Sequence, residues 1–218
     1  MYEYKSKVDI VYDSLLDNIL AGTYNPGERM VISKMAREYG VSEIPVREAI
    51  RRLESEGYVT LNANHGAVVK DVDLDQITQM FQIRGVLEGY ATRLCVDYLQ
   101  PEDFKELEEI NESMLRAIES DEHSLYSELN IKFHRRIYEC LPMFELYNMI
   151  VDLWKKWQIT SRVFNVVPTR ASESYEEHKT ILGLLREKEY DQVEMKVRQH
   201  KFRACQRFVE YSKAVTPK

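Results

Sequence analysis

The spacing of apolar residues changes about one third of the way along the chain. In the first 70 residues, short helical patterns are separated by glycines, and five of the eight glycines of the chain fall there. The first pattern repeats every three or four residues from Val8 to Leu20 and ends before Gly22, as an amphipathic helix does. Two shorter helical patterns lie on either side of residues 40–42. These patterns predict three helices, with a tight turn between the second and the third.

Capping residues and a hairpin pattern complete this first region. Ser33 and Ser42 are candidate caps of the second and third helices, because serine side chains accept hydrogen bonds from the free N–H groups of a first turn. Pro45 falls in the first turn of the third helix, where proline is tolerated. The segments Tyr58–Leu61 and Ala67–Val69 then predict two short strands joined by a turn. The order helix, helix, turn, helix, hairpin is that of a winged helix-turn-helix.

Beyond Asp73 the apolar spacing is helical to the end of the chain, and prolines fall at the joints. The predicted helices are Leu74–Leu99, Pro101–Ser120, Ser124–Cys140, Phe144–Phe164, Thr169–Lys188 and Tyr190–Ser212. Helices of this length with short joints favour an antiparallel bundle. We therefore expect a mainly α protein with two domains, a winged helix-turn-helix at residues 1–72 and an all-helical bundle at residues 73–218.

Composition narrows the class of protein. The 218 residues are 44% hydrophobic and 30% charged, which is typical of a globular protein. No run reaches the ~18 apolar residues of a membrane span, and the first ten residues are too polar for a secretory signal. The three cysteines form no CxxC pair, so neither a disulfide framework nor a cysteine zinc site is indicated. These features predict a cytoplasmic protein without a membrane partner.

The charge is unevenly distributed. The chain carries a net charge of −6, yet six basic and only three acidic residues lie between Arg29 and Arg52. Attraction to DNA depends on the local face that meets the phosphates. Arg47 and Arg51 are four residues apart and share the polar face of the third helix with Glu43. An arginine there can pair with phosphate or with guanine, although on an arbitrary helix such residues form a solvated face.

The third helix also carries a long family motif. Residues 42–59 read SEIPVREAIRRLESEGYV and residues 20–27 read LAGTYNPG. Both segments resemble the DNA-binding region of the GntR family of bacterial regulators. The resemblance implies DNA contacts from the recognition helix, its flanks and the wing, namely from Ser33, Ser42, Arg47, Arg51, His65 and Gly66. Glu43 and Ile44 depart from the family, which often has Arg and Thr there. Glu43 either accepts from cytosine N4 or repels phosphate.

Three histidines recur at related places in the helical region. Asn130 and His134 are four residues apart, so they share a helix face. His178 and His200 lie about equally far from the joint between the last two helices, so an antiparallel pair brings them level. Three imidazoles and an amide oxygen could then meet inside the bundle. The alternative is that each histidine is an ordinary polar residue with a satisfied hydrogen bond.

This region resembles the FCD domain of the FadR-like branch, which binds ligands and in many members a divalent metal. The resemblance implies metal ligation by Asn130, His134, His178 and His200, with zinc, nickel or manganese as the ion. Asn130 replaces the usual aspartate. Because its oxygen is neutral, the metal charge is less compensated, which favours an anionic effector. Arg84 is a candidate partner of an effector carboxylate. Its alternative role is an ion pair with the glutamate four residues later.

Together these features predict a homodimeric transcription regulator and not an enzyme. It would bind double-stranded operator DNA, and a small anionic metabolite, expected to be a carboxylate, would control that binding. Two alternatives stay open. The first is a metal-dependent enzyme that carries a DNA-binding domain, although no nucleophile elbow, phosphate loop or dinucleotide motif occurs. The second is a regulator whose helical domain only dimerises.

Overall fold

The computed structural model describes residues 5–62, 66–71, 73–156, 163, 167 and 169–215. The chain divides into two compact units. The first comprises Met1–Asp73 together with Ser212–Lys218, and the second comprises Leu74–Tyr211. Within the described ranges, no helix is long and apolar enough to cross a membrane.

The first unit has the predicted order of elements. It contains the helices α1 (Lys7–Leu20), α2 (Ile32–Glu38) and α3 (Glu43–Ser55) and the strands β1 (Arg29–Met30), β2 (Val59–Asn62) and β3 (Gly66–Val69). The three strands form an antiparallel sheet in the order β1-β3-β2. Strand β1 was not predicted, because two residues are too short to show an alternating pattern. The apolar faces of the helices pack together through side chains that include Tyr12, Leu16, Val46, Ile50 and Leu53.

The helix starts differ in part from the sequence prediction. The prediction that Ser33 caps α2 is wrong, because β1 leads directly into α2 and Val31 takes the N-cap position in an extended conformation. Ser42 does occupy the N-cap position of α3, but its side chain makes no capping hydrogen bond. Helix α1 begins with a capping box that the sequence analysis missed. In it, the Ser6 and Asp9 side chains each accept from the other residue's backbone N–H.

The second unit is the predicted helical bundle. Its helices are α4 (Leu74–Cys95), α5 (Pro101–Glu119), α6 (His123–Tyr138), α7 (Phe144–Lys156), α8 (Thr169–Arg186) and α9 (Tyr190–Val215), the last four residues of which belong to the first unit. Helix α4 ends four residues before the predicted Leu99, and most of the predicted end of α7, residues 157–162 and 164, lies outside the described residues. Buried apolar side chains from all six helices form one core.

Glycines let α4 approach α9 closely. A Cβ atom on Gly89 would lie 2.8 Å from the Arg198 side chain and 2.9 Å from the backbone oxygen of Glu194. One turn earlier, Gly85 faces the backbone of Arg198 and the Cβ atom of Lys201, at 3.7–3.8 Å. Between these two helices, Glu88 of α4 and Lys201 are both buried and lie 3.0 Å apart.

Candidate functional site

Helix α3 presents a charged face to solvent. Its side chains at Val46, Ala49, Ile50 and Leu53 are buried, whereas Glu43, Arg47 and Arg51 lie on the exposed side. Glu43 and Arg47 form an ion pair at 2.8 Å, and Arg51 pairs with Glu48 at 3.3 Å. These pairs are exposed, so each contributes little to stability and an arginine can exchange its partner at small cost. Ser33 and Ser42 are also exposed.

Arg52, at the margin of this face, has a structural role instead. Its guanidinium lies 3.9 Å from the centroid of the Tyr12 ring and pairs with Asp9 and Glu56, each at 3.3 Å. The Tyr12 hydroxyl in turn donates to Glu56. These contacts tie the C-terminal half of α3 to α1, so Arg52 holds α3 in place.

The predicted wing contacts lie at the β2–β3 connection. Gly66 begins β3, pairs with Asn62 and has a φ of +74°, a conformation that favours glycine. His65, the other wing residue of the prediction, lies outside the described residues.

The three predicted histidines meet in the interior of the bundle. The ring centroids of His134, His178 and His200 are 5.0–5.1 Å apart. The Nε2 atoms of His134 and His200 are 3.2 Å apart. One ligating nitrogen from each ring can be chosen so that all lie within 4.8 Å of one another. Helices α6, α8 and α9 each supply one histidine, and all three rings are buried.

The donor set fits a divalent metal. Among the described side chains, neither nitrogen of His178 has a hydrogen-bond partner, nor has Nδ1 of His134 or Oδ1 of Asn130, one turn before His134. Unpaired buried polar atoms are costly unless a ligand satisfies them. Burial and the charge of Lys201 hold the pKa of each histidine well below its usual value, so the rings are neutral, as ligation requires. Two nitrogens on one tetrahedral zinc would be about 3.3 Å apart, near the observed 3.2 Å between His134 and His200.

Sequence reasoning missed the residue that orients His200. The Nδ1 atom of His200 lies 2.7 Å from a Glu177 carboxylate oxygen, so Nδ1 carries the proton and Nε2 keeps its lone pair for a metal. Arg203 and the fully buried Arg170 also pair with Glu177. In the sequence, Glu177 stands out only as the residue before His178. Adjacent residues of a helix point about 100° apart, so this position does not predict a contact with His178. Glu177 therefore serves the histidine of another helix.

A second buried charge cluster surrounds Glu88 on α4. One carboxylate oxygen accepts from Arg84 Nε at 2.6 Å and from Trp154 Nε1 at 3.0 Å. The other accepts from the Tyr138 hydroxyl at 3.1 Å and lies 3.0 Å from Lys201 Nζ. Burial would raise the pKa of Glu88, but its two cations and its hydrogen bonds lower it to about 2. Burial lowers the pKa of Lys201 to about 8 despite this contact. Arg84 thus makes the ion pair with Glu88 that was its alternative role.

A surface groove reaches the edge of the histidine cluster. It has a volume of about 520 Å³ and runs along α8 and α9, where charged side chains that include Glu177, Arg203 and Arg207 line it. Since Glu177 contacts His200, the groove lies one side chain away from the candidate metal ligands.

Comparisons with known proteins cover both units. The model of the family described as bacterial regulatory proteins, gntR family, matches residues 7–69, and the FCD domain model matches residues 79–202. In sequence, the chain is 31% identical to the uncharacterised HTH-type transcriptional regulator YdhC of Bacillus subtilis over 140 residues, which are 64% of this chain and 62% of YdhC. It is 32% identical to the HTH-type transcriptional regulator McbR of Escherichia coli over 144 residues, which are 66% of this chain and 65% of McbR. The chain thus spans just under two thirds of the length of these two relatives.

Two further similarities extend over more of the chain. The gluconate operon transcriptional repressor of Bacillus subtilis is 27% identical over 177 residues, which are 80% of this chain and 70% of that protein. The solved structure of E. coli McbR/YncC superposes with a TM-score of 0.67 at 25% identity, covering 94% of this chain and 98% of that one. With one family model on α1 to β3 and the other on the helices that carry the three histidines, the chain belongs to the GntR family of bacterial regulatory proteins, with a C-terminal FCD domain.

Proposed function

We propose that this protein is a cytoplasmic transcription regulator that binds operator DNA through α3 and the wing. The exposed, arginine-bearing face of α3 is the observation that carries this proposal. Arg47→Ala should weaken operator binding by about 1–3 kcal/mol if Arg47 pairs with a base. Arg116→Ala, at an exposed arginine on α5, is the matched control and should have no effect. Fluorescence anisotropy with labelled duplex measures both, and equal affinities of all three proteins would remove Arg47 from the reading surface.

Salt dependence tests the same proposal independently. A local basic face binds phosphates even though the whole chain carries −6 charges. If roughly 6–10 phosphates are neutralised, log K should fall with log salt with a slope of about −5 to −9. A flat dependence would show that this face does not meet the DNA backbone.

Function as a homodimer follows from the size of the reading helix. One recognition helix contacts only a few base pairs, so a specific site requires two helices about one DNA turn apart. On α4, Ile83, Val86 and Tyr90 are spaced along one face and about half exposed, which suits contact with a second copy. Light scattering should give a dimer, and Val86→Glu should shift it towards monomer. Leu125→Glu, at an exposed apolar residue of α6, should not.

A divalent ion, zinc, nickel or manganese, would be held by His134, His178 and His200, with Asn130 as a weaker fourth ligand. The ion would supply positive charge and open coordination positions for an anionic ligand. Protein purified without a histidine tag should contain about one metal per chain by elemental analysis. His134→Ala and His178→Ala should lose it, whereas His123→Ala, at a partly exposed histidine paired with Asp121, should keep it. Full occupancy in both cluster variants would refute the site.

The charges around the histidines favour an anionic effector. Of the described residues near the histidines, three buried cations, Arg84, Arg170 and Lys201, pair with two buried carboxylates, Glu88 and Glu177. A divalent ion would add two more positive charges without a carboxylate ligand. Because uncompensated buried charge is costly, a small carboxylate that reaches the metal and Arg84 would be bound strongly. Thermal-shift measurements of metal-loaded protein with a panel of small carboxylates should identify stabilising ligands.

Control of DNA binding by such an effector is a coupling between two sites. Since one relative is named a repressor, we infer repression, with the effector releasing the operator. Linkage then requires that operator DNA weaken effector binding by the same factor, typically 5–150-fold. Calorimetry of an effector with and without operator measures this. Equal affinities in the two titrations would leave the bundle ligand with a structural role only.

A further inference from the structure

The reading face of α3 has an apolar side chain at its centre. Ile44 is 71% exposed, more than any other large apolar side chain in the described part of the first unit. Exposed isoleucines occur singly on many proteins. This one lies in the first turn of the reading helix, among charged side chains, and the N-terminal residues of such a helix are those that contact base edges.

Helix geometry points Ile44 directly away from the core. Successive residues of an α-helix are rotated by about 100°, which places Ile44 about opposite the mean direction of the five buried side chains at 45, 46, 49, 50 and 53. Arg47 and Arg51, three and seven residues later, share its face. A DNA groove that accepts Arg47 and Arg51 must therefore also accept Ile44. Around the helix, Ile44 lies between these two arginines and Glu48.

The major groove offers one apolar feature to such a side chain. Bases present hydrogen-bond donors and acceptors there, and only thymine adds a methyl group, at C5. Isoleucine has no donor or acceptor. Opposite guanine, cytosine or adenine it would cover polar groups without replacing their bonds to water, which costs free energy. Opposite thymine it buries two apolar groups against each other.

We propose that Ile44 reads the 5-methyl group of one thymine in each operator half-site. The proposal rests on the proposed DNA-binding function and adds to it a residue that determines which base is accepted. It also gives a role to a position at which this chain departs from the residue common in its family.

The test uses thymine-to-uracil replacement, which removes only the methyl group. The full-length protein first selects its operator from a library of random duplexes. Each thymine of that operator is then replaced by uracil at symmetric positions, and the affinities of wild type and Ile44→Ala are measured. The loss for wild type should be about fourfold per half-site at one symmetric position, since one buried methyl group contributes about 0.8 kcal/mol. Ile44→Ala should lose nothing further there.

Controls and outcomes separate the two proposals. Ile10→Ala, at an exposed isoleucine of α1, should respond to uracil as wild type does. Because Ile44 is exposed, Ile44→Ala should fold normally, and its unfolding midpoint checks this. Failure to enrich any sequence would overturn the DNA-binding function itself. If an operator is enriched but every uracil replacement changes the affinities of wild type and Ile44→Ala by the same factor, only the role of Ile44 is overturned.

Discussion

Replacing Glu88 by glutamine tests whether the buried charge cluster holds the helical domain together. Glu88 is fully buried, and its two oxygens interact with four groups, those of Arg84, Trp154, Tyr138 and Lys201. Glutamine keeps the shape of the side chain but removes its charge. Its amide group also places a donor where an acceptor is needed. Two buried cations, Arg84 and Lys201, then lose the carboxylate that they contact.

Two independent considerations give the size of the effect. Breaking a buried ion pair by removing one partner destabilises a protein by about 3–5 kcal/mol. The pKa of Glu88 offers a second route, since it falls from an ordinary 4.5 to about 2 in the folded protein. At about 1.4 kcal/mol for each pH unit, the folded state stabilises the ionised carboxylate by about 3 kcal/mol. We therefore expect Glu88→Gln to lower the free energy of unfolding by about 3 kcal/mol or slightly more at pH 7.

The pH dependence has a definite sign. The folded-state pKa is the lower one, so the stabilisation is present above about pH 4.5 and is lost as the pH falls towards 2. The difference between wild type and Glu88→Gln should therefore be largest near pH 5–6 and shrink in more acidic buffer. It should also shrink as the pH rises towards 8, because Glu88 raises the pKa of Lys201, and without that carboxylate the buried ammonium loses its proton more readily.

Urea unfolding followed by tryptophan fluorescence measures this difference, because both tryptophans belong to the helical region. Glu108→Gln is the matched control. It removes the same charge from a half-exposed ion pair with Arg186, at 2.6 Å, and should cost less than about 1 kcal/mol. A loss below about 1 kcal/mol for Glu88→Gln at pH 7 would refute the assignment of Glu88 as the counter-ion of this cluster.

Three further predictions concern particular contacts. Gly89→Ala should lower the free energy of unfolding by about 1–3 kcal/mol in urea, because the new Cβ atom would lie within 3 Å of α9. Gly85→Ala, with its nearest contact at 3.7 Å, should instead be neutral or stabilising by up to about 1 kcal/mol, and a similar loss for both would argue against this close approach. Glu177→Gln should weaken metal binding by about 10–100-fold in chelator competition by releasing His200, whereas Glu173→Gln, one turn away at the surface, should not. Glu43→Gln should tighten operator binding by about two- to fivefold in anisotropy titrations, because the ion pair that competes with phosphate is gone. Weaker binding would show instead that Glu43 accepts from a base.

The sequence by itself determined the order of elements and the position of α3. Both depend on local information, namely the 3.6-residue period of apolar side chains, the glycines that end helices and a motif contained in 18 consecutive residues. The sequence also allowed the approach of His178 and His200 to be predicted, because both lie about equally far from one helix joint. Antiparallel packing of two helices then brings them level without knowledge of any other contact.

Only the tertiary structure decided which groups surround those histidines. In the sequence, Glu177 precedes His178 and Lys201 follows His200. In the structure, Glu177 contacts His200 on α9, and Lys201 contacts Glu88 on α4. Nothing in a helical period specifies such a partner, because it depends on how helices distant in sequence rotate and slide against one another. Tertiary packing also decided between the two roles that the sequence left open for Arg84. The spacing to Glu88 permitted an ion pair, and burial of both groups between α4 and α9 made that pair form, since an isolated charge in the interior would be far more costly.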